Sequence, residues 1–297
     1  MPEYPFYQVD AFTSTPLGGN ACAVFLDADD MDDKTMLAVT REMNLSESSF
    51  VLKTNKADFK ARYWTCAEEI PLAGHPTIAT IYTLIKAGLI QLKESPMSIS
   101  LELNEGPINV DIHHDGSQVE KIVMTQRKPK FMTIHDPAVV CPLFNLEVED
   151  LVQGVPIQTV STGTPQLMVP VRSLEALRRA RVNIEAYSRY RESSDFFTPH
   201  LFVCQGVTSA GSTFARHFGV APDMMEDPVT GSATGGMSAY IVKYGLLKET
   251  SWIAEQGHWM DRAGMVHVKV IKGADGEPET VTIGGQAVLS LKGTLFL

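Results

Sequence analysis

Cysteine is scarce and scattered in this sequence: Cys22, Cys66, Cys141 and Cys204 are the only four in 297 residues, with no C-x-x-C pair and no metal-like spacing. This excludes a disulfide framework and a zinc ribbon, and fits reduced thiols packed as small core residues in a cytoplasmic protein. Positive charge is also short. Twenty-five Lys and Arg face 35 Asp and Glu, a net charge of −10 that would repel a phosphate backbone and argues against nucleic-acid binding. A small anionic substrate is not excluded, since it responds to the local field of its site. Long apolar runs are missing too. Lys86 and Lys243 close the two longest before membrane-spanning length, so a soluble protein with no membrane partner is expected. Residues 1–5, Met-Pro-Glu-Tyr-Pro, read as neither a signal nor a transit peptide. Neither a G-x-G-x-x-G nor a P-loop is present, which argues against a dinucleotide or triphosphate cofactor.

What is there suits two ordinary domains: 44% hydrophobic and 20% charged residues over 297 positions. The most informative stretch is Glu226-Asp227-Pro228-Val229-Thr230-Gly231-Ser232-Ala233-Thr234, a carboxylate and a proline turn leading into an apolar helical run that ends near Tyr244. A helix start carries unpaired N–H groups and a partial positive charge, so it favours an anion. Gly231 lets a ligand approach the backbone, and Ser232 or Thr234 can donate a hydroxyl. An ordinary turn with an N-cap is the alternative. Shifted by 157 positions, Glu69-Ile70-Pro71-Leu72-Ala73-Gly74-His75-Pro76-Thr77 overlays it, and Lys86, Gly88 and Leu89 fall on Lys243, Gly245 and Leu246. Seven of these 21 positions are identical, where chance gives about one or two. The matches sit at a turn, a helix start and a glycine C-cap, which reads as an internal duplication.

Strand character covers residues 6–12, 21–26, 50–53, 58–65, 98–103 and 108–112, with helices over 32–43 and 77–87. The second helix has no charge before Lys86, so it belongs inside its domain. Residues 13–20, with Pro16, Gly18, Gly19 and Asn20, form a tight loop. Glu47 is placed on a polar hinge among Ser46, Ser48 and Ser49; it is a candidate base or a solvated loop acid. His113-His114-Asp115-Gly116 reads as a polar turn, because adjacent strand residues point to opposite faces and no further ligands lie near; it closes a first half, 1–116. The second half, 117–297, begins with a strand over 119–125 and a Lys- and Pro-rich connection. A short helix over 146–152, strands over 156–160 and 167–171, helices over 174–180 and 184–191, and strands over 196–204, 211–218, 253–256, 266–271 and 281–285 follow. The final strand ends at Leu297 and has the option of returning to the first half. The loop Ser161-Thr162-Gly163-Thr164-Pro165 offers hydroxyls and N–H groups to a ligand, or is a plain connection. Many strands with one buried helix per half predict an α+β duplicate, each half a barrel-like, mostly antiparallel sheet around its helix.

Several blocks resemble one family. They are Asp10-Ala11-Phe12 through Gly19-Asn20, Asn44 through Phe50, Ala73-Gly74-His75-Pro76-Thr77, Phe214-Ala215-Arg216, Asp227 through Ala233, Glu255-Gln256-Gly257 and Ile283-Gly284-Gly285. In this order they resemble the PhzF family of phenazine-biosynthesis-like isomerases, similar in fold to diaminopimelate epimerase. The resemblance implies a homodimeric isomerase that uses no cofactor and no metal and shifts a proton on a small carboxylate-bearing substrate, with its active site between two pseudo-equivalent halves. It assigns catalysis to Glu47 as base, aided by His75, Asp227 and Ser232. Asn20, Ser46, Gly74, Thr77, Thr162, Gly163, Gly231 and Ala233 become substrate contacts. Epimerases of this fold place a cysteine ahead of each helix-opening glycine; here Ala73 and Thr230 stand there, so a two-thiol racemisation is not expected. A racemase using Glu47 and another acid, or a binding protein that has lost turnover, are the alternatives.

Overall fold

Alternating and β-branched segments become strands throughout, and the two least charged helical runs become the two most buried helices. The computed structural model describes residues 1–219 and 223–297. The chain divides into two compact units: Met1–Thr125 with Asp261–Gly264 and Gly284–Leu297, and Gln126–Met260 with Met265–Ile283. The first contains β1 (Glu3–Ala11), β2 (Asn20–Phe25), α1 (Asp33–Met43), β3 (Glu47–Leu52), β4 (Phe59–Trp64), β5 (Glu69–Ile70), α2 (Gly74–Lys86), β6 (Met97–Leu103), β7 (Gly106–His114) and β8 (Val119–Thr125). The second opens with β9 (Lys130–His135), short α3 (Pro137–Val140), β10 (Ile157–Ser161), β11 (Pro165–Pro170), α4 (Leu174–Arg179) and α5 (Ile184–Glu192). It continues through β12 (Thr198–Val203), β13 (Thr213–Phe218), β14 (Glu226–Asp227), α6 (Gly231–Tyr244) and β15 (Ser251–Gln256). The chain then runs through β16 (Gly264–Lys272) and β17 (Pro278–Gly285) to β18 (Ala287–Phe296).

Three expectations are corrected. The first unit continues past residue 116, because β8 pairs antiparallel with β7. His113 and His114 are the last residues of β7, not a turn; the buried His114 ring hydrogen-bonds the Glu94 carbonyl at 2.9 Å, and the turn is made by 115–118 around the Asp115 carboxylate. Residues 146–152 hold one 3-10 turn, Val148–Asp150, because Leu151 turns extended to bridge Val171 and ends it. The final strand β18 pairs along the whole of β1 and lies in the first unit.

The duplication is a duplication of topology. In the first unit β1 and β2 run antiparallel, β2 and β3 parallel, β3 and β4 antiparallel, β4 and β5 antiparallel, and β4 and β6 parallel. In the second, β10 and β11, β11 and β12, β12 and β13, β13 and β14, and β13 and β15 repeat that series. The registers coincide residue by residue. Tyr63 faces Ile70 and Trp64 faces Glu69, as His217 faces Asp227 and Phe218 faces Glu226. Each half then carries a two-pronged Arg–Glu fork just before its helix: Arg62 on Glu69, with both contacts at 2.6 Å, and Arg216 on Glu226 at 2.8 and 2.7 Å. A bidentate pair locks two planar groups together, so it fixes the short strand leading into the helix. In α2 every residue from Gly74 to Leu84 is buried, and in α6 Gly231 and 233–242 are. Both helices therefore sit inside their units, as their lack of charge requires.

Candidate active site

Glu47 is the first residue of β3, beside Cys22 of the parallel β2. Its side chain is 18% exposed, and Oε2 lies 3.3 Å from Nδ1 of His75, the second residue of α2. The same Nδ1 is 3.1 Å from the side-chain amide of Asn20, and Ser46 Oγ donates to Asn20 Oδ1 at 3.5 Å. Burial strips the imidazole of water and pulls its pKa down to about 3, so His75 is neutral at physiological pH. Its Nε2 is buried without a partner among the described residues. Asn20, Ser46, Glu47 and His75 thus form one cluster from separated segments of the first unit.

The loop before β2 is pinned by a group that sequence reading missed. Arg262 donates to the carbonyls of Gly18 and Gly19 at 2.8 and 3.0 Å and to the buried carboxylate of Asp10 at 2.9 Å, while the other Asp10 oxygen accepts from Leu17 N–H at 2.8 Å. Gly19 has φ +52°, and a Cβ there would stand 2.1 Å from the Ala11 carbonyl, so the turn that delivers Asn20 needs glycine. No local signal marks Arg262, which is 252 residues from Asp10.

The second cluster surrounds the start of α6. Asp227 accepts from Thr230 Oγ1 at 2.6 Å. Neither helix start is side-chain capped: the N-cap residues are Ala73 and Thr230, and neither makes a capping hydrogen bond. The first N–H groups of Gly74 and His75, and of Gly231, Ser232 and Ala233, therefore begin helices without a side-chain acceptor at the N-cap. Ser232 is half-buried; its carbonyl lies 3.4 Å from Thr162 Oγ1. Gly163 follows Thr162 and donates its N–H to Ser161 Oγ at 3.3 Å.

The side chains of three expected substrate contacts are engaged or buried within their own units. Thr77 Oγ1 donates back to the Ala73 carbonyl at 2.7 Å and meets Tyr63 Oη at 3.0 Å, entirely inside the first unit. Thr162 Oγ1 donates to Gln126 Oε1 at 2.6 Å. Ala233 is fully buried. Buried hydroxyls are drawn to the nearest acceptor, so Thr77 and Thr162 build the helix starts rather than present free donors.

Gln126 is a second residue that sequence reading missed. Its amide nitrogen donates to the Gly231 carbonyl at 3.1 Å while its oxygen holds Thr162, and a Cβ at Gly235 would stand 1.6 Å from that oxygen. Gly235→Ala must therefore expel the Gln126 side chain. We expect a loss of about 1–3 kcal/mol in a urea denaturation, and Gln126→Ala placed on top should remove most of the added cost.

Among the described residues no group of three or more His, Cys, Asp or Glu is placed to hold a metal ion, and no helix is long and apolar enough to cross a membrane. Cys22, Cys66 and Cys141 are buried thiols, and Cys204 is half-buried and free.

Comparison with known proteins identifies the family. The family of phenazine biosynthesis-like proteins, PhzC-PhzF, matches residues 9–293. A Salmonella typhimurium protein named "uncharacterized isomerase YddE" is 34% identical over 294 residues, 95% of each chain. The trans-2,3-dihydro-3-hydroxyanthranilate isomerase of Pseudomonas fluorescens is 30% identical, covering 97% of this chain and 98% of that one. Among solved structures, the Bacillus anthracis phenazine biosynthesis protein of the PhzF family superposes with a TM-score of 0.88 at 31% identity, each chain covered completely. The chain belongs to the PhzC-PhzF family of phenazine biosynthesis-like proteins, and it is an isomerase.

Proposed function

We propose that this isomerase moves a proton between two positions of a small carboxylate-bearing substrate, without cofactor or metal, with Glu47 as the base. The observation that carries the reading is the Glu47–His75 contact: a half-buried carboxylate 3.3 Å from a neutral imidazole at an uncapped helix start. A carbon acid is weak, so its base works best with little water around it and with donors aimed at the charge that develops. The Glu47 carboxylate takes the proton, an O–H bond forms as the C–H bond breaks, and the electron pair moves into the conjugated system of the substrate. The same proton is then returned to a different carbon, so nothing is consumed and the base is restored. His75 stays neutral and keeps its ring proton on Nε2 throughout, and its Nδ1 accepts from the O–H that Glu47 gains when it takes the proton from carbon.

In this reading the N–H groups at the Gly74 helix start receive the developing negative charge, and Asn20 and Ser46 hold the first cluster in place. Asp227 and Ser232 take the polar groups away from the reacting carbon. The name of the Pseudomonas fluorescens relative suggests the class to try first, a hydroxylated cyclic amino acid. The protein is incubated in D2O with trans-2,3-dihydro-3-hydroxyanthranilate and a panel of cyclic amino and hydroxy acids, and deuterium entry at carbon is followed by proton NMR. Exchange into at least one acid is expected; a folded protein that exchanges none of them sinks the proposal. We also infer a homodimer from the family resemblance and a cytoplasmic location from the scattered cysteines, and a monomer mass in light scattering removes the dimer.

A further inference from the structure

We infer that Gln256 is a positioning residue of this isomerase: it holds the Thr230 hydroxyl so that Thr230 orients the Asp227 carboxylate. The inference rests on the role proposed for Asp227. Gln256 ends β15 and is 2% exposed. Its amide nitrogen donates to the Asp227 carbonyl at 2.7 Å and to Thr230 Oγ1 at 3.2 Å, and its oxygen accepts the Thr230 N–H at 3.0 Å. Thr230 in turn donates its hydroxyl to Asp227 Oδ2 at 2.6 Å. The turn from 227 to 230 is thus gripped at both ends by one amide. Because Thr230 Oγ1 receives a hydrogen bond from Gln256, its own proton is directed at the carboxylate.

The duplication supplies an internal comparison. The registers make Arg216 the counterpart of Arg62 and Ala215 that of Ala61; Ala215 faces Gln256, while Phe59 faces Leu101, which sets Ala61 against Leu103. Gln256 therefore corresponds to Leu103, Thr230 to Ala73 and Asp227 to Ile70. The framework groups persist in both halves: the Arg–Glu forks, the turn prolines Pro71 and Pro228, the helix glycines, and the corresponding acids Glu102 and Glu255. The three linked polar residues occur in one half only, and the other half has an apolar residue at all three places. The first unit forms the same turn and helix start without them, so the fold does not demand the chain. Its members go together because the amide and the hydroxyl have a purpose only where a carboxylate has to be held.

A buried amide can also be merely structural, so the test reads Asp227 directly. The Asp227 carboxyl is titrated by carbon NMR in protein labelled at aspartate, with Asp227→Asn assigning the signal. Losing a donor to the ionised form raises a carboxyl pKa. Gln256→Leu and Thr230→Val should both shift the midpoint upward, whereas Thr230→Ser, which keeps the hydroxyl, should titrate as the parent does. On any acid that the protein isomerises, Gln256→Leu should lower kcat about tenfold with KM within about twofold. Gln256→Glu should regain activity at low pH, where a protonated carboxyl donates as the amide does, and lose it as pH rises. Unchanged Asp227 midpoints in folded Gln256→Leu and Thr230→Val would overturn the inference. The titration needs no substrate, so failure of the isomerase chemistry itself shows separately, as absent exchange in a protein whose Asp227 midpoint does move.

Discussion

Replacing Glu47 by Gln is expected to reduce carbon–deuterium exchange by roughly a hundred- to ten-thousand-fold, the usual share of a general base. The substitution keeps the shape, so its amide can still reach His75 Nδ1, and the fold has little reason to change: Glu47 is the terminal residue of β3, 18% exposed, with its backbone paired to Cys22. What disappears is the one property an amide lacks, the capacity to accept a proton from carbon. Substrate affinity, read from KM or from binding of a product analogue, should change far less than kcat. A Glu47→Gln variant that exchanges its substrate at the parental rate would remove Glu47 from the role of base while leaving the family and the fold as they are. The comparison between halves adds to the expectation. The counterpart of Glu47 in the second unit is Thr198, whose hydroxyl is spent on Gln166 at 2.5 Å, so only one half carries an acid at this place.

Acid should unfold this protein through buried histidines as well as carboxylates. His200 and His217 face each other across β12 and β13 with Nδ1 atoms 3.2 Å apart, and both are buried. Burial lowers the pKa of His217 to about 3 and that of His200 well below the ordinary value, where a charge on His217 lowers it further. An unfolded histidine takes its proton near pH 6.5, whereas in the folded protein His217 stays neutral until about pH 3 and burial keeps His200 neutral well below its ordinary value. In that window the unfolded chain binds more protons, so stability is complete above pH 6.5 and falls as pH drops toward 3. Two protons correspond to about 3 kcal/mol per pH unit at the steepest point. His75 adds to this, because burial lowers its pKa despite the nearby Glu47 carboxylate. His135 adds less, since Asp195 partly offsets its burial. Urea midpoints at pH 7.5, 6.5 and 5.5 check the expectation: a marked fall between the last two supports it, and equal midpoints refute it. The double variant His200→Asn, His217→Gln should flatten the slope even if it lowers the starting stability.

The division between sequence and structure follows from the range of the forces involved. Chain-local signals showed the two helix starts, their glycines, the buried character of α2 and α6, and the α+β duplicate, because a turn, a cap and an uncharged helical face are each written in a few neighbouring residues. The resemblance to the PhzF family is carried by such local blocks as well, and the family model matches residues 9–293. In sequence Glu47 reads as part of a polar hinge; the structure makes it the first residue of β3, because the parallel partner β2 extends the pairing to Cys22. Packing alone decided which hydroxyls are consumed inside. Thr77 and Thr162 look like ligand donors in sequence, yet each lies against a buried acceptor that a list of residues does not reveal. The groups that aim the site were invisible for the same reason. Arg262 grips a loop 243 residues away, Gln126 spans to Gly231, and Gln256 reaches back to Asp227 across a strand register. Sequence by itself determined where backbone N–H groups would be left open. Only the tertiary structure decided which side chains hold them in place, since a hydrogen bond acts over about 3 Å of space and is indifferent to distance along the chain.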